Sequence, residues 1–506
     1  MKMGGIQRIG VIGAGTMGRG IVQLFAQAGH EVLCYDAAAG AAGQAVEFVA
    51  GMIARAVAKG RYSEEEGAAM VARVGVCERL QDLAGCELVI EAVVEDLTVK
   101  RELFLALEAI VGDDTILASN TSSLMIAEIA AVCRRPERVA GLHFFNPVPL
   151  MKVVEVIAAV RTAVSVIVGL EALVRATGHR PVVAADQPGF LVNHAGRGLY
   201  TEGLRLLEER VAEAADIDWL VREAAGFRMG PFELLDLTGL DVSGKVMESI
   251  YGQFHQEPRF RPSSLVAPRI AAGLLGRKSG AGWYAYDGNE RLEPVWGKVP
   301  QASTQIQVWV DPAADEYHKL IDLVRQAGGQ VVEFSFDAEL LLLQFWGWDV
   351  SRYCSEHGLD AARAVAVDPL AGLENPRTLM LSSITRPELR DAAHAILASD
   401  GTPVTVINDS CGFVLQRILA TIVNIAAEIA QRGIATVADL EDAVRLGLGY
   451  PLGPLGLGDA IGSRRVLEIL TRIHALSGDP RYRPSPWLAR RAALGLPLAT
   501  AEASRL

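Results

Sequence analysis

The sequence predicts a doubly wound parallel α/β domain followed by an all-α domain, a degenerate α/β spacer and a second all-α repeat. Two observations lead to this fold class. A glycine-rich loop separates a short apolar strand from a helix near the amino terminus, and several motifs recur in the C-terminal half at a constant offset. A chain of 506 residues is also too long for one hydrophobic core. We therefore expect domains at 1–185, 186–287, 288–405 and 406–506.

The amino-terminal segment has the pattern of a dinucleotide-binding strand, loop and helix. Residues 8–12 (RIGVI) form a short apolar run, GAGTMG supplies Gly13, Gly15 and Gly18, and an amphipathic stretch continues to Gly29. In a Rossmann domain the first glycine allows a tight turn, the second lets the backbone approach a pyrophosphate, and the third allows close helix packing. Ordinary turns are the alternative role for these glycines.

An acidic residue supports the nucleotide interpretation. The second predicted strand, EVLCYD, ends in Asp36. This residue follows Gly13 at roughly the 20-residue spacing that is typical of the acid that binds the ribose hydroxyls of the dinucleotide. Three alanines at 37–39 follow, and no arginine lies nearby to receive a 2′-phosphate. The sequence therefore predicts NAD as the cofactor, in preference to NADP.

Strands and helices continue to alternate beyond this point. ELVIEAVVED is typical of a strand that ends near Glu95, and TVKRELFLALEAIV has the apolar spacing of a helix. Such alternation predicts a parallel sheet with its ligand crevice at the carboxyl ends of the strands.

Two motifs downstream carry the candidate chemistry. SNTSSL contains Ser122, and the longer motif GLHFFNPVPLMKVVEV contains both His143 and Glu155. Oxidation of a secondary alcohol needs a base for the hydroxyl proton, and a neutral imidazole titrates in the useful range. A carboxylate in the apolar run MKVVEVI is unfavourable unless it is paired, and a protonated His143 is a suitable partner. The alternative is a solvent-facing glutamate and a packed histidine.

Six sequence blocks resemble the signatures of a known enzyme family. SNTSSL, GLHFFNPVP, MKVVEV, PGFLVN, MGPFELLD and GRKSGAGWY have the order and nearly the spacing seen in the NAD-dependent L-3-hydroxyacyl-CoA dehydrogenases, over about residues 6–287. The resemblance implies oxidation of an (S)-3-hydroxyacyl-CoA to the 3-oxoacyl-CoA with NAD+. It also implies that His143 and Glu155 form the catalytic pair, and that Ser122 and Asn193 hydrogen-bond the oxygen of the substrate.

The same resemblance implies further contacts with NAD. They come from residues of both predicted catalytic domains: Glu95, Lys100, Ser122, Asn146 and Lys278. Taken alone, Lys100 is a charge in the first turn of a helix, and Asn146 before Pro147 is better explained as a turn residue. A rival function is that of a non-catalytic NAD-binding protein. That rival is disfavoured because every position that matches a family catalytic residue carries the expected residue type.

Composition argues against several other classes of protein. A net charge of −12 is unfavourable for binding nucleic acid. The segment MKMGGIQRIG lacks a signal-peptide pattern, and no uninterrupted apolar run is long enough to span a bilayer, so we expect a cytoplasmic enzyme without membrane association. Six cysteines without a CxxC pair are expected to be reduced and mostly buried, and they predict neither disulfides nor a metal site.

Coenzyme A carries phosphates, so an acidic chain must supply cations locally. Arg55, Lys59 and Arg61 cluster in the segment after the second strand. By the resemblance, Lys59 falls near a lysine that the family uses for coenzyme A. Solvated surface charge is an equally good interpretation of the cluster.

The chain contains an internal repeat. DQPGFLVN at 186–193 recurs as DSCGFVLQ at 409–416, and RMGPFELLD at 228–236 recurs as PLGPLGLGD at 451–459. Both pairs have the same offset, which relates Gly189 to Gly412 and Gly230 to Gly453. PRFRPS at 258–263 returns as PRYRPS at 480–485, with an offset shorter by a single position. Two homologous helical modules therefore occupy 186–287 and 406–506.

The segment between the two copies has a mixed pattern. Runs such as QIQVWVD and GGQVVEF are typical of strands and alternate with helical patterns, but no glycine phosphate loop is present. This predicts a degenerate α/β spacer that no longer binds nucleotide. The alternative is an extended linker, which the apolar content of the segment disfavours.

The second helical copy lacks the predicted chemistry. Gln416 stands in the place of Asn193, and nothing after Trp487 reproduces GRKSG. Because single-module members of the family dimerise through this domain, the resemblance implies that the two copies pack together as an intramolecular pseudo-dimer. Further association of whole chains remains open.

The carboxy-terminal layout is similar to that of two-module family members of aerobic phenylacetate catabolism, including YPLGPLGLGD and RYRPSPWLARRAAL. That resemblance implies 3-hydroxyadipyl-CoA as substrate, whose acyl chain ends in a carboxylate. Arg197 and Arg228 are candidates to bind it, although each is at least as well explained as a surface arginine. The alternative is a general short- or medium-chain enzyme of fatty-acid β-oxidation, acting on 3-hydroxybutyryl-CoA for example.

Overall fold

The computed structural model describes residues 5–288, 290–294 and 297–503. Its backbone forms two compact units. The first contains the described residues through His194 together with Arg432–Leu448, and the second contains Ala195–Gln431 and the described residues from Gly449 onward. Residues 432–448 of the second helical copy therefore belong to the amino-terminal unit.

The first unit is built on an eight-stranded sheet. Its strands are β1 (Arg8–Ile12), β2 (Glu31–Tyr35), β3 (Val74–Val76), β4 (Leu88–Glu91), β5 (Ile116–Ser119), β6 (Val139–Phe144), β7 (Val153–Ala158) and β8 (Arg180–Ala185). They lie in the order β3-β2-β1-β4-β5-β6-β7-β8, and all neighbours are parallel except β6 and β7. This is the predicted Rossmann sheet, with the glycine loop directly after its central strand β1.

Helices cover the first sheet. They are α1 (Thr16–Gln27), α2 (Ala41–Ala58), α3 (Glu64–Ala72), α4 (Leu97–Glu108), α5 (Ile126–Ala130) and α6 (Val164–Ala176), with α7 (Val192–Ala195) at the end of the unit. The central strands are buried apolar runs, as expected for a sheet that is covered on both faces, and the edge strand β3 is only partly buried. The predicted strand ELVIEAVVED is shorter than expected, because β4 ends at Glu91 and Glu95 lies in the loop before α4. Strand β4 ends where the backbone of Ala92 meets the glycine loop, since a Cβ on Gly13 would lie 2.4 Å from the carbonyl oxygen of Ala92.

The second unit contains two sets of helices. The first set is α8 (Arg197–Glu208), α9 (Ala214–Trp219), α10 (Pro231–Thr238), α11 (Leu240–Gln253) and α12 (Val266–Ala271). The second repeat supplies α16 (Val414–Gln431), α17 (Val437–Gly447), α18 (Pro454–Ile461), α19 (Ser463–Ser477) and α20 (Pro486–Leu494), of which α17 belongs to the first unit. Helix α8 packs against α16 so closely that a Cβ on Gly198 would lie 2.9 Å from the Cα of Ile422.

The middle segment is an α/β layer, not an extended linker. Strands β9 (Tyr286–Asp287) and β10 (Glu290–Arg291) form a small hairpin before it. The sheet consists of β11 (Gln307–Val310), β12 (Gln330–Val331), β13 (Leu340–Leu343), β14 (Ala364–Val367), β15 (Arg377–Leu381) and β16 (Val404–Ile407), with helices α13 (Tyr317–Gln326), α14 (Val350–His357) and α15 (Pro387–Leu397). Its strand order is β12-β11-β13-β14-β15-β16, and only β14 and β15 are antiparallel.

This second sheet repeats the order of the first with two strands missing. Removing β3 and β5 from the first sheet leaves the same sequence of neighbours and the same single antiparallel pair. A capping interaction is repeated as well. Asp186 accepts hydrogen bonds from the first amides of α5, and Asp409, its equivalent at the repeat offset, accepts them from the first amides of α14. The repeat therefore extends beyond the helical modules into the spacer.

The spacer has lost the nucleotide loop of the first sheet. Where Gly13 follows β1, Asp311 follows β11, and the carboxylate of Asp311 accepts a hydrogen bond from the hydroxyl of Tyr353 at 2.6 Å. A carboxylate at this point would repel a phosphate. This substitution supports the prediction that the spacer binds no nucleotide.

Two helices of the described chain are long and apolar enough to cross a membrane by length and composition alone. They are α2 and α16. Most of α16 is buried between other helices, which explains its apolar character, and α2 has one face on the first sheet.

Candidate active site

His143 and Glu155 lie directly opposite each other on the antiparallel strands β6 and β7. The imidazole Nδ1 is 2.5 Å from Oε2 of Glu155, and both side chains are buried, at 5% and 0% exposure. The short stretch of sequence between them is thus a hairpin-like connection that turns the two side chains to the same face. With Nδ1–H donating to the carboxylate, the Nε2 lone pair is left to accept a proton.

The carboxylate of Glu155 is held by two more donors. Its Oε1 accepts hydrogen bonds from the backbone amides of Leu191 at 2.9 Å and Val192 at 2.8 Å. The turn before them contains Phe190 at a φ of 49°, a left-handed conformation that is unusual for an aromatic residue. This turn aims both amides at Glu155, so the carboxylate is fixed independently of the histidine.

A cavity of about 340 Å³ opens in front of His143. The predicted site residues that line it are Glu95, Ser122, His143, Asn146 and Asn193. Ser122 comes from the loop after β5, and Asn193 from the start of α7. Their arrival at one cavity agrees with the predicted crevice at the carboxyl ends of the parallel strands.

Glu95 organises the loop that carries Ser122. Its Oε1 accepts hydrogen bonds from the backbone amides of Ser122 and Ser123 and from the hydroxyl of Thr121. Burial raises the pKa of Glu95, but the charge of Lys100 and these hydrogen bonds outweigh it, so the pKa is lowered overall. An ionised Glu95 therefore holds the serine loop against the cavity.

Lys100 lies deeper than its sequence position suggested. Its Nζ is 2.5 Å from Oε1 of Glu91 and 3.3 Å from Oε2 of Glu95, and the side chain is 1% exposed. The hydroxyl of Ser119 donates to the other oxygen of Glu91. A contact between Lys100 and NAD stays a prediction, since this lysine does not line the 340 Å³ cavity.

Two contributors to this site were missed by sequence reasoning. Asn120 lines the cavity, and its Oδ1 accepts a hydrogen bond from the amide of Phe144 at the end of β6. Glu91 is the buried partner of Lys100. An acid inside the apolar run LVIE was the available signal for Glu91, by the same argument that singled out Glu155.

The glycine loop fits a dinucleotide. A Cβ on Gly18 would lie 1.7 Å from the carbonyl oxygen of Gly13, and Gly13 itself has a φ of 101° with Ala92 close by, so neither position tolerates a side chain. Around Gly15, in contrast, the space is open. Helix α1 starts at Thr16 with no side-chain cap and no acidic residue in its first turn. Its first amides are thus available to a pyrophosphate.

Asp36 lies at the end of β2 as predicted. Its Oδ2 accepts a hydrogen bond from the amide of Ala14 in the glycine loop at 2.7 Å, and Oδ1 accepts one from Ala38. The carboxylate therefore connects the loop to the second strand. This position suits a group that also accepts hydrogen bonds from ribose hydroxyls.

A second, larger cavity of about 1010 Å³ lies on the other side of α1. Five cationic side chains line it: Arg19, Arg55, Lys59, Arg61 and Lys152. The sequence cluster at 55–61 thus forms one edge of a cationic groove, while Arg19 and Lys152 were not foreseen. The guanidinium of Arg19 lies 4.0 Å over the ring of Phe48, which also lines the groove.

Three other predicted residues belong to the second unit. Lys278 pairs with Asp241 through a 2.5 Å contact and is 45% exposed. Arg197 is 5% exposed, with its guanidinium 4.7 Å over the ring of Tyr200. Arg228 is exposed and packs against Gly449.

Family models match most of the chain. The model described as 3-hydroxyacyl-CoA dehydrogenase, NAD binding domain, matches residues 8–187. The model described as 3-hydroxyacyl-CoA dehydrogenase, C-terminal domain, matches twice, at residues 189–286 and 412–502. The predicted second helical repeat is confirmed by this double match.

Relatives of two different lengths are similar to this chain. The 3-hydroxyadipyl-CoA dehydrogenase of Escherichia coli (strain K12) is 36% identical over 490 residues, which cover 97% of this chain and 98% of the relative. The 3-hydroxybutyryl-CoA dehydrogenase of Clostridioides difficile is 37% identical over 280 residues, 55% of this chain and 99% of the relative. The shorter relative therefore lacks a counterpart for nearly half of this chain.

A solved structure shares the complete architecture. The crystal structure of 3-hydroxybutyryl-CoA dehydrogenase from Escherichia coli K12 substr. MG1655 has a TM-score of 0.85 and 35% identity, and the match covers 97% of this chain and 98% of that one.

Proposed function

The chain belongs to the 3-hydroxyacyl-CoA dehydrogenase family and is an NAD-dependent oxidoreductase, and on that premise we propose that His143 is its catalytic base and Glu155 the partner of that base. The observation that carries the proposal is the 2.5 Å contact between Nδ1 of His143 and Oε2 of Glu155 beside a cavity that Ser122 and Asn193 also line.

Each residue of this site has a separate role in the proposed reaction. Nε2 of His143 accepts the proton of the 3-hydroxyl group, and the imidazolium is stabilised by Glu155 through Nδ1–H. The amides of Leu191 and Val192 donate to Oε1 of Glu155 and hold the carboxylate in place. Ser122 and Asn193 donate hydrogen bonds to the oxygen as it becomes a carbonyl. When bound, NAD+ supplies the acceptor for the hydride that leaves carbon 3.

The glycine loop, Asp36 and the cavity residues are the proposed cofactor contacts. The uncapped start of α1 would hold the pyrophosphate, and Asp36 the ribose hydroxyls. Glu95 and Asn146 line the cavity in which the reaction would occur, next to Ser122. Lys100 would act indirectly, because it pairs with Glu95 and holds it in place. Lys278 is proposed from the family resemblance alone.

The cationic groove is the proposed site for coenzyme A. Lys59, Arg55, Arg61, Arg19 and Lys152 would neutralise its phosphates within a chain of net charge −12. Phe48 under Arg19 offers an aromatic surface for the adenine. A substitution of Lys59 should raise KM for the acyl-CoA and leave kcat little changed, because a contact remote from the reacting carbon serves binding.

We further propose 3-hydroxyadipyl-CoA as the substrate and phenylacetate degradation in the cytoplasm as the setting. A relative with that substrate in its name, which matches along almost its entire length, supports the proposal. Arg197 is the cation that we favour for the distal carboxylate, since Tyr200 and Tyr450 surround a buried guanidinium and supply hydroxyl donors. Within the described chain the buried Tyr450 hydroxyl has no hydrogen-bond partner. Arg228 is the exposed alternative.

A kinetic panel tests the function and the substrate together. NADH formation should be seen with (S)-3-hydroxyacyl-CoAs, and kcat/KM for 3-hydroxyadipyl-CoA should exceed that for 3-hydroxyhexanoyl-CoA by roughly tenfold, since an arginine–carboxylate pair contributes ~1.5 to 3 kcal/mol. Arg197→Ala should remove the preference, with Arg228→Ala as its comparison. Equal efficiency would favour a general short- or medium-chain enzyme, a function that the 3-hydroxybutyryl-CoA names of other relatives support. If the protein binds NADH but turns over none of the substrates in the panel, a non-catalytic NAD-binding protein would be the remaining interpretation.

A further inference from the structure

We propose that the second helical copy takes part in the reaction by positioning Glu155. Its helix α17 packs against Val192 and Val153, which lie next to the groups that hold this carboxylate. Gly447 allows the close approach of the helix to these valines. The inference rests on the proposed roles of His143 and Glu155. It gives the second copy a function, although Gln416 replaces the asparagine of the first copy.

Helix α17 comes from the second copy in sequence but belongs to the NAD-binding unit in space. It packs against β7, the strand of Glu155, and against the neighbouring β8. Arg180 on β8 fixes the helix through Asp439 at 2.8 Å and Asp442 at 2.9 Å. The carbonyl of Ile434, just before the helix, accepts a hydrogen bond from the amide of Ala185 at the end of β8.

The last residue of α17 lies against the supports of the catalytic carboxylate. A Cβ on Gly447 would lie 3.1 and 3.2 Å from the two methyl carbons of Val192, and 3.4 Å from a methyl of Val153. The amide of Val192 donates to Oε1 of Glu155 at 2.8 Å, and Val153 precedes Glu155 on the same strand, β7. Gly447 thus reaches both segments that hold the carboxylate.

The glycine is required by this approach and not by the backbone. Gly447 lies at the end of a helix without the positive φ of the glycines that need one. The equivalent position in the first copy, at the same repeat offset, carries Ala224. Of these two positions, glycine is therefore found in the second copy, whose helix α17 contacts Val192.

A side chain at 447 should therefore displace Val192. A displaced Val192 would weaken its hydrogen bond to Glu155 and let the carboxylate turn away from His143. A misplacement of this kind affects the chemical step and leaves the glycine loop of the nucleotide site intact. Gly447 is a positioning residue, because it acts through Val192 and touches no reacting atom.

The test uses Gly447→Val and the milder Gly447→Ala in the full-length enzyme. Ala438→Val, on the exposed face of the same helix, is the matched control, since it adds methyl groups without facing Val192. We expect kcat to fall roughly tenfold to a hundredfold in Gly447→Val and less in Gly447→Ala, with the Kd for NADH unchanged. The control should retain normal kcat. Unchanged kcat in both Gly447 variants would overturn the proposal.

A second measurement separates positioning from general loss of structure. The valine substitution is repeated in a His143→Gln background, where it should cost little further activity because the pathway through Glu155 is already lost. An equal fractional loss in both backgrounds would mean that Gly447 acts by some other route, and the proposal would fall. Full activity of His143→Gln would instead refute the proposed base itself, which keeps the two failures distinct.

Discussion

Arg417 of the second helical copy donates a hydrogen bond from Nε to Oε1 of Glu202 in the first copy, at 2.7 Å, with both side chains buried. The hydroxyl of Tyr482 donates to the same carboxylate oxygen. In a symmetric pair of modules each copy would provide this contact to the other. The repeat offset, however, assigns His194 and Ile425 to the reciprocal positions.

Of the two pairs of positions that the repeat offset relates, one carries a buried ion pair and the other carries His194 and Ile425. A buried charge that loses its partner destabilises a protein by roughly 3–5 kcal/mol, whereas replacement of both partners is often tolerated. This asymmetry supports the proposed intramolecular pseudo-dimer, in which one chain carries one active site.

The first prediction concerns this ion pair. Arg417→Met should lower the free energy of unfolding by about 3 kcal/mol, because Glu202 would keep only its tyrosine partner and Glu209 would lose its contact with Arg417. Glu202→Leu should have a similar cost, and the double variant should cost less than the sum. Denaturant unfolding measures all three, with Arg175→Ala, an exposed arginine on α6, as a nearly silent control. Additive losses would show that the two residues do not interact.

Truncation after residue 405 tests the packing role of the second copy. It removes α16, which covers α8, and the newly exposed apolar surface should cause aggregation or dimerisation in light scattering. Loss of α17 should also lower kcat by the route proposed for Gly447. A monomeric, soluble and fully active fragment would contradict both expectations.

The catalytic pair predicts a specific kinetic pattern. His143→Gln should lose on the order of 100-fold or more in kcat, as is usual when a general base is removed, and should keep its affinity for NADH. Glu155→Gln should be similarly impaired, because the amide can no longer stabilise the imidazolium. Stopped-flow turnover together with NADH fluorescence titration checks both statements. Near-normal turnover of His143→Gln would exclude this mechanism.

Cofactor choice depends on Asp36. The wild-type enzyme should use NAD at least about tenfold better than NADP, since the carboxylate accepts hydrogen bonds from ribose hydroxyls and repels a 2′-phosphate. Asp36→Asn keeps an acceptor for the amide of Ala14 while removing the charge, and it should narrow the preference. Comparable kcat/KM of the wild type for both cofactors would refute this role.

A buried carboxyl makes stability depend on pH. Burial raises the pKa of Asp218 to about 7, in spite of hydrogen bonds from Tyr284 and the start of α10. The folded protein therefore binds a proton that the unfolded chain releases near pH ~4. This contribution to the free energy of unfolding is complete below that value and declines as pH rises to about 7. Asp218→Asn should show a flatter pH dependence over this window in thermal melts, and an unchanged slope would refute the assignment.

Local sequence patterns predicted the parts of the site that are close in the chain. The glycine loop follows from Gly13, Gly15 and Gly18 because each spacing meets a fixed geometric need of a strand, a turn and a helix. Glu155 was identifiable because an acid in an apolar strand requires a partner, and His143 lies one antiparallel connection away. The helical repeat was visible because duplicated motifs keep their spacing even where their chemistry is lost.

Other features needed the tertiary structure, because they depend on contacts between distant parts of the chain. In the sequence Lys100 is only a charge in the first turn of a helix, and the fold brings it onto Glu91 and Glu95 in the interior. Pro188 and Gly189 signal a turn, but only the fold shows that Phe190 takes a left-handed conformation and that the next two amides donate to Glu155.

The placement of α17 shows the same division. Its sequence has the apolar periodicity of any surface helix, and periodicity states which face is buried without stating against what. Only the folded chain puts Gly447 against Val192 and Arg180 against Asp439, although the partners of each pair are far apart in sequence. The sequence by itself determined the fold class, the cofactor and the candidate catalytic pair, because each is written in short-range spacing. Tertiary packing decided where helix α17 of the second copy contacts the NAD-binding unit, because such a contact forms only in the folded chain.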